Sequence, residues 1–179
     1  MRGMNNMLAL RRALAVLAVS VALAACTSTP PAAPVAADTT TPAQRLAAVQ
    51  SAAGADDKEL SVQPLRDPQV DDLRDSAASK RDAGDLAGAA EALDQALKLV
   101  DGDPGVLQER AEIALLQADW VGAEAMARKA VSLGSRTGPL CRRHWATIEQ
   151  AQLARAEKEN AASAHAQIET CTVPGIQRF

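Results

Sequence analysis

The chain has 179 residues, enough for one domain with extensions. It is 47% hydrophobic but only 2% aromatic and has no Tyr, which excludes a β-sandwich rich in Val, Ile, Thr and Tyr and favours helices packed closely through Ala. A net charge of −3 argues against a nucleic-acid binder, which needs a basic face.

Met1 to Arg12 carries Arg2, Arg11 and Arg12 and no acid, and Ala13 to Ala25 is a mainly apolar run of 13 residues. As a helix that run is about 20 Å long, short of the roughly 30 Å hydrocarbon core, so residues 1–25 read as a signal peptide and not as a membrane span. The run ends Leu23-Ala24-Ala25-Cys26, which resembles the bacterial lipobox. That resemblance implies diacylation of Cys26, which becomes the mature N-terminus and anchors the chain through more than one acyl chain. Thr27, not Asp, follows; by similarity to Gram-negative lipoproteins this implies sorting to the outer membrane, with the remainder facing the periplasm. Loss of the leader with its three arginines takes the net charge to −6.

Residues 26–66 form the lipidated tether and a lead-in. Thr27 to Thr41 is Thr, Pro and Ala with one Asp38, a composition that cannot build a core. Pro30, Pro31 and Pro34 favour an extended chain with about 45 Å of reach. Thr41-Pro42-Ala43-Gln44 then reads as a helix start, with Thr41 as cap, Pro42 at the first position and Gln44 completing a capping box. Leu46 and Val49 give it a narrow apolar stripe, and Gly54 ends it. Glu59 to Pro68 reads as extended, either a linker or a strand-like segment with Leu60 and Val62 on one face.

From residue 67 the chain repeats. Asp67-Pro68 opens a helix with Val70, Leu73 and Ala77 on its inner face, Gly84-Asp85 turns the chain, and Leu86, Ala89, Leu93, Ala96 and Leu97 mark a second helix. Thirty-four positions on, Gly84 maps to Ala118, Asp85 to Asp119, Leu86 to Trp120, Gly88 to Gly122 and Ala89 to Ala123. Asp103-Pro104 opens the second copy, in which Leu107, Ala111, Ala114, Leu115 and Ala118 are expected to face inward. A third copy runs from Pro139, turns at Ala156-Glu157 and returns through Ala161, Ala164, Ile168 and Cys171, with one continuous helix as the rival reading.

The period and the small-residue positions resemble the tetratricopeptide repeat. The resemblance implies an all-α fold, a short stack of helical hairpins with about three repeats and six helices over residues 67–173, with 174–179 as a tail. It also implies a concave groove on the first helix of each repeat. Carried over position by position, the groove residues are Arg74, Ala78, Arg81 and Asp82, then Gln108, Glu112, Leu115 and Leu116, then Ala146, Gln150 and Leu153.

Three cysteines remain to be assigned. With Cys26 lipidated, Cys141 and Cys171 are left for an oxidising compartment. They lie 30 residues apart, about 45 Å along one straight helix, but almost equidistant from Ala156-Glu157 if the chain folds back there. A disulfide between them is therefore expected, and with it the hairpin.

No nucleophile elbow, phosphate loop or metalloprotease motif occurs. Cys141-x-x-His144 has metal-ligand spacing, but His165 and Cys171 point about 120° apart on one helix, so no metal or cofactor is expected. His144 is expected at the surface or in the groove, and Arg142-Arg143 on a solvated face. The reading is a non-enzymatic, membrane-anchored periplasmic scaffold that binds an unidentified protein or peptide and no nucleic acid. The alternatives are an accessory lipoprotein for pilus or secretin assembly, or an envelope enzyme or metal-binding protein using His144 and His165.

Overall fold

The computed structural model describes residues 38–54 and 67–172. The signal peptide, Cys26, most of the tether, the extended stretch up to residue 66 and the tail lie outside the described residues. Among the described residues every regular element is a helix: α1 Pro42–Ala52, α2 Pro68–Asp82, α3 Leu86–Leu99, α4 Pro104–Leu116, α5 Trp120–Leu133, α6 Pro139–Ala154 and α7 Lys158–Thr170. None is long and apolar enough to cross a membrane.

Helix starts follow the local chemistry. The Thr41 hydroxyl accepts from Gln44 N while Gln44 reaches back to the Thr41 N–H, a complete capping box. Asp67 and Asp103 cap α2 and α4, each ahead of a proline that needs no N–H partner. Asp85 and Asp119 cap α3 and α5 by accepting from Gly88 N and Gly122 N at 2.8 and 2.9 Å. A Cβ on either glycine would lie 2.1 Å from the capping carboxylate, so the repeated Asp-x-x-Gly spacing makes room for the cap. In the third copy Asn160 stands in the glycine's place and donates instead to Glu157.

The three hairpin turns share one geometry. Gly84, Ala118 and Ala156 adopt left-handed φ angles of 82°, 59° and 60°. In each turn the next N–H returns to a carbonyl five residues earlier: Asp85 to Lys80, Asp119 to Ala114 and Glu157 to Gln152, at 2.8–2.9 Å. This doubled closure satisfies orphan carbonyls at the helix end and hands the chain straight to the next N-cap. Ala118 is therefore an exposed turn residue and does not face inward. The third turn at Ala156 removes the single-helix alternative.

The hairpins α2–α3, α4–α5 and α6–α7 stack in order, α3 on α4 and α5 on α6, with α4 also touching α6. Val70, Ala77, Leu93, Val106 and Ile113 anchor the first seam, and Ala111, Ala127, Ile148 and Ala164 the last. Most buried hydrophobic positions are alanines, so apolar cohesion comes from many short-range contacts more than from a few large side chains. The lead-in helix α1 is no isolated element. It packs on α6 and α4 and belongs to the compact unit that begins at Asp38.

Candidate interaction groove

The first helices of the hairpins, α2, α4 and α6, carry the residues predicted to line a groove. The structure divides that candidate groove into an open half and a covered half.

The open half is a cleft of about 200 Å³ whose lining includes Arg74, Ala78, Arg81, Glu112 and Arg143, with Gln50 of α1 at its margin. Arg74 bridges two hairpins, donating from Nε to Glu109 Oε2 at 2.8 Å with its Nη2 on the other carboxylate oxygen, and it also reaches Asp71. The Glu109 hydrogen bond raises the Arg74 pKa, outweighing burial. Arg81 pairs with exposed Asp82 at 2.8 Å. Glu112 is buried and takes Arg143 Nε at 3.0 Å, which ties α6 to α4.

Behind Glu112 lies a buried polar network. Gln108 Nε2 donates to Glu112 Oε1 and to Thr147 Oγ1, both at 2.8 Å. Gln108 Oε1 is thus the acceptor, and His144 Nδ1, 2.7 Å away, must be the N–H donor. The imidazole is neutral. Its Nε2 is fully buried with no hydrogen-bond partner among the described residues. Burial first, then the Arg143 charge, lowers its pKa to about 4. His144 is therefore an internal residue, contrary to the surface or groove position expected.

The covered half lies beneath α1. Leu115 and Ala146 are buried in one cluster with Val49. Arg45 Nη1 donates to the main-chain and side-chain oxygens of Gln150 at 3.1 and 3.2 Å, and its guanidinium sits over the Trp120 ring, 5.6 Å from the centroid. At the other end of α1, Arg142 Nε donates to the carbonyls of Ala52 and Ala53 at 3.2 and 3.0 Å. Arg142 is 7% exposed, so half of the Arg142-Arg143 pair is a buried clamp on a helix end and not a solvated face. Of the other predicted groove residues, Leu116 packs into the first seam and Leu153 is half-buried.

Cys141 and Cys171 are joined, with Cα atoms 5.7 Å apart and both residues buried. The bridge closes α6 onto the end of α7, where Gly138 N also donates to Cys171 O at 2.8 Å. The two histidines are not brought together: His165 is exposed and pairs with Glu149 at 3.0 Å. Near the third turn, Glu124 is opposed in ionising by burial, but hydrogen bonds from Arg155, Arg128 and Gln152 prevail and lower its pKa. Arg155, at the end of α6, again links neighbouring helices, whereas Arg128 lies on α5 with Glu124.

No protein-family model matches the chain, and no curated protein matches it. Among solved structures it is similar to the globular C-terminal domain of P. aeruginosa LpoP, at 29% identity and a TM-score of 0.55, over 59% of this chain and 99% of that one.

Proposed function

We propose that this chain is a lipid-anchored scaffold of the outer membrane, facing the periplasm, that captures a protein or peptide in the groove of a tetratricopeptide-type stack and catalyses no reaction. The carrying observation is the open cleft on α2 and α4, whose lining combines guanidinium and carboxylate groups with the small Ala78. Such a lining suits a polar peptide or loop that exchanges hydrogen bonds with it. Glu109 and Glu112 are engaged by Arg74 and Arg143 and hold neighbouring hairpins together. The similarity to a globular C-terminal domain supports a folded unit that follows an N-terminal tether. The lipobox ending in Cys26 supports the anchor.

Photo-crosslinking in intact cells from a probe at Ala78 tests the groove. Arg81→Glu combined with Ala78→Arg is expected to abolish capture while leaving helical content unchanged, since both residues are half-buried on the cleft wall and outside the core, where substitutions usually cost about 0.5 kcal/mol. Arg74 is spared because it bridges hairpins. Capture that survives this pair but disappears with Glu91→Lys on the outer face would place the binding surface elsewhere.

A further inference from the structure

Helix α1 shows what the covered half of the groove accepts. It runs antiparallel to α6, with Arg45 near its start at Gln150 and Ala52 and Ala53 at its end held by Arg142. Its buried stripe is short: Arg45, Leu46 and Val49, at 2%, 8% and 0% exposure. The intervening Ala47 and Ala48 and the flanking Gln44 and Gln50 face solvent. A helix of 11 residues is marginal on its own in water, so α1 is helical because it is docked. Unlike the other six it has no hairpin partner among the described residues. Two of its anchors, Gln150 and Arg142, meet the helix through polar groups, one accepting a guanidinium and the other capping terminal carbonyls, and a foreign helix with the same features would be held equally.

We propose that α1 is a displaceable occupant of this site, and that the partner the groove receives is an α-helix carrying the same Arg-Leu-x-x-Val stripe, which enters antiparallel to α6 as α1 leaves. The proposal rests on the groove reading above and deepens it: the open cleft beside Gln50 gives a partner its first hold, and the helix site follows once α1 yields. Binding then carries the cost of unseating the resident helix, and the observed affinity falls by the fraction of time the site is open.

The test uses the full mature chain and a fluorescent synthetic peptide with the sequence of residues 38–54, followed by anisotropy. Val49→Asp in the chain places a carboxylate in the apolar seat and unseats α1. The peptide is expected to bind this variant about tenfold or more tighter than the wild type. A peptide that itself carries Val49→Asp is expected not to bind, and Gln150→Arg in the groove is expected to weaken the tight complex. Circular dichroism and an intact Cys141–Cys171 bridge verify folding; if Val49→Asp does not fold, Leu46→Ala with Val49→Ala gives the same comparison. Equal binding to wild type and variant overturns the proposal, as does absence of binding to a folded variant. A wild-type dimer in native mass spectrometry that the peptide dissociates overturns it too, because the occupant is then α1 of a second copy. If the peptide fails while crosslinked capture through Ala78 persists, only the helix exchange falls; loss of both removes the groove reading as well.

Discussion

Ala118 and Ala156 hold left-handed backbone at the positions where the first copy has Gly84, and for an L-residue that conformation costs roughly 1–2 kcal/mol. Replacing either with glycine removes that cost but adds about 0.5–1 kcal/mol of chain entropy, so Ala118→Gly and Ala156→Gly are each expected to stabilise by about 0.5–1 kcal/mol. Gly84→Ala is expected to destabilise by a similar amount; although nothing lies within 4 Å of the added Cβ, its φ of 82° does not suit alanine. Urea midpoints decide the signs. His144 sets a second expectation. Its pKa is near 4 folded against 6.5 ordinarily, so between those values the unfolded chain binds the extra proton. Its contribution to stability is complete above about pH 6.5, drains away as the pH falls towards 4, and amounts to roughly 3 kcal/mol. Glu112 and Arg143 face the same network and are hydrogen-bonded to each other. His144→Asn keeps an N–H for Gln108 without titrating, and is expected to flatten the urea midpoint between pH 6.5 and 4; an unchanged slope would shift the cause to other groups.

Among the helices α7 is the least secured. It buries Ala161 and Ala164, with Ile168 half-buried, and stands at the end of the stack with α6 as its main neighbour. The bridge across the 30-residue separation compensates by restricting the unfolded chain, worth about 3–4 kcal/mol. Reduction is therefore expected to lower global stability by that amount and to release α7 amides to hydrogen exchange ahead of those in α4 and α5. Uniform loss of protection along the chain would mean that the bridge serves the whole stack and not its last helix. Much at this scale was legible in the sequence. Asp-Pro starts, Asp-x-x-Gly caps and the 34-residue return of small residues are local signals, and the hairpins follow from them. Docking of α1 was not legible. Its stripe is two aliphatic residues long, and its remaining hold is Arg45 on Gln150, 105 positions away, and over Trp120, with Arg142 on the main-chain carbonyls at its end. The same limit hid His144, whose neighbour Gln108 lies 36 positions away, and Arg142, whose acceptors lie 89 and 90 positions away.

At the scale of the whole chain the proposed arrangement is an anchor, a spacer and a folded body in sequence. Cys26→Ala is expected to leave the precursor unacylated and uncleaved at that site, and mass spectrometry of the wild-type N-terminal peptide is expected to show acyl mass on Cys26. An unmodified Cys26 peptide as the dominant species would remove the anchor and the localisation that rests on it. Ion pairs between helices run mainly through arginine: Arg74 to Glu109, Arg110 to Asp94, Arg143 to Glu112 and Arg155 to Glu124 each join different helices. Bidentate or forked guanidinium contacts fix orientation as well as distance, which an alanine-rich seam with few interlocking shapes does poorly alone.

The stacking of Arg45 on Trp120 has an optical consequence. The chain has two tryptophans and no tyrosine, so its near-ultraviolet emission comes from Trp120 and Trp145 alone. Trp145 is associated with the cluster around Ile148, whereas Trp120 lies under the guanidinium of α1. A Trp145→Phe chain thus carries a single emitter whose wavelength and quenching register whether the lead-in helix is seated, without any added dye and in the intact protein.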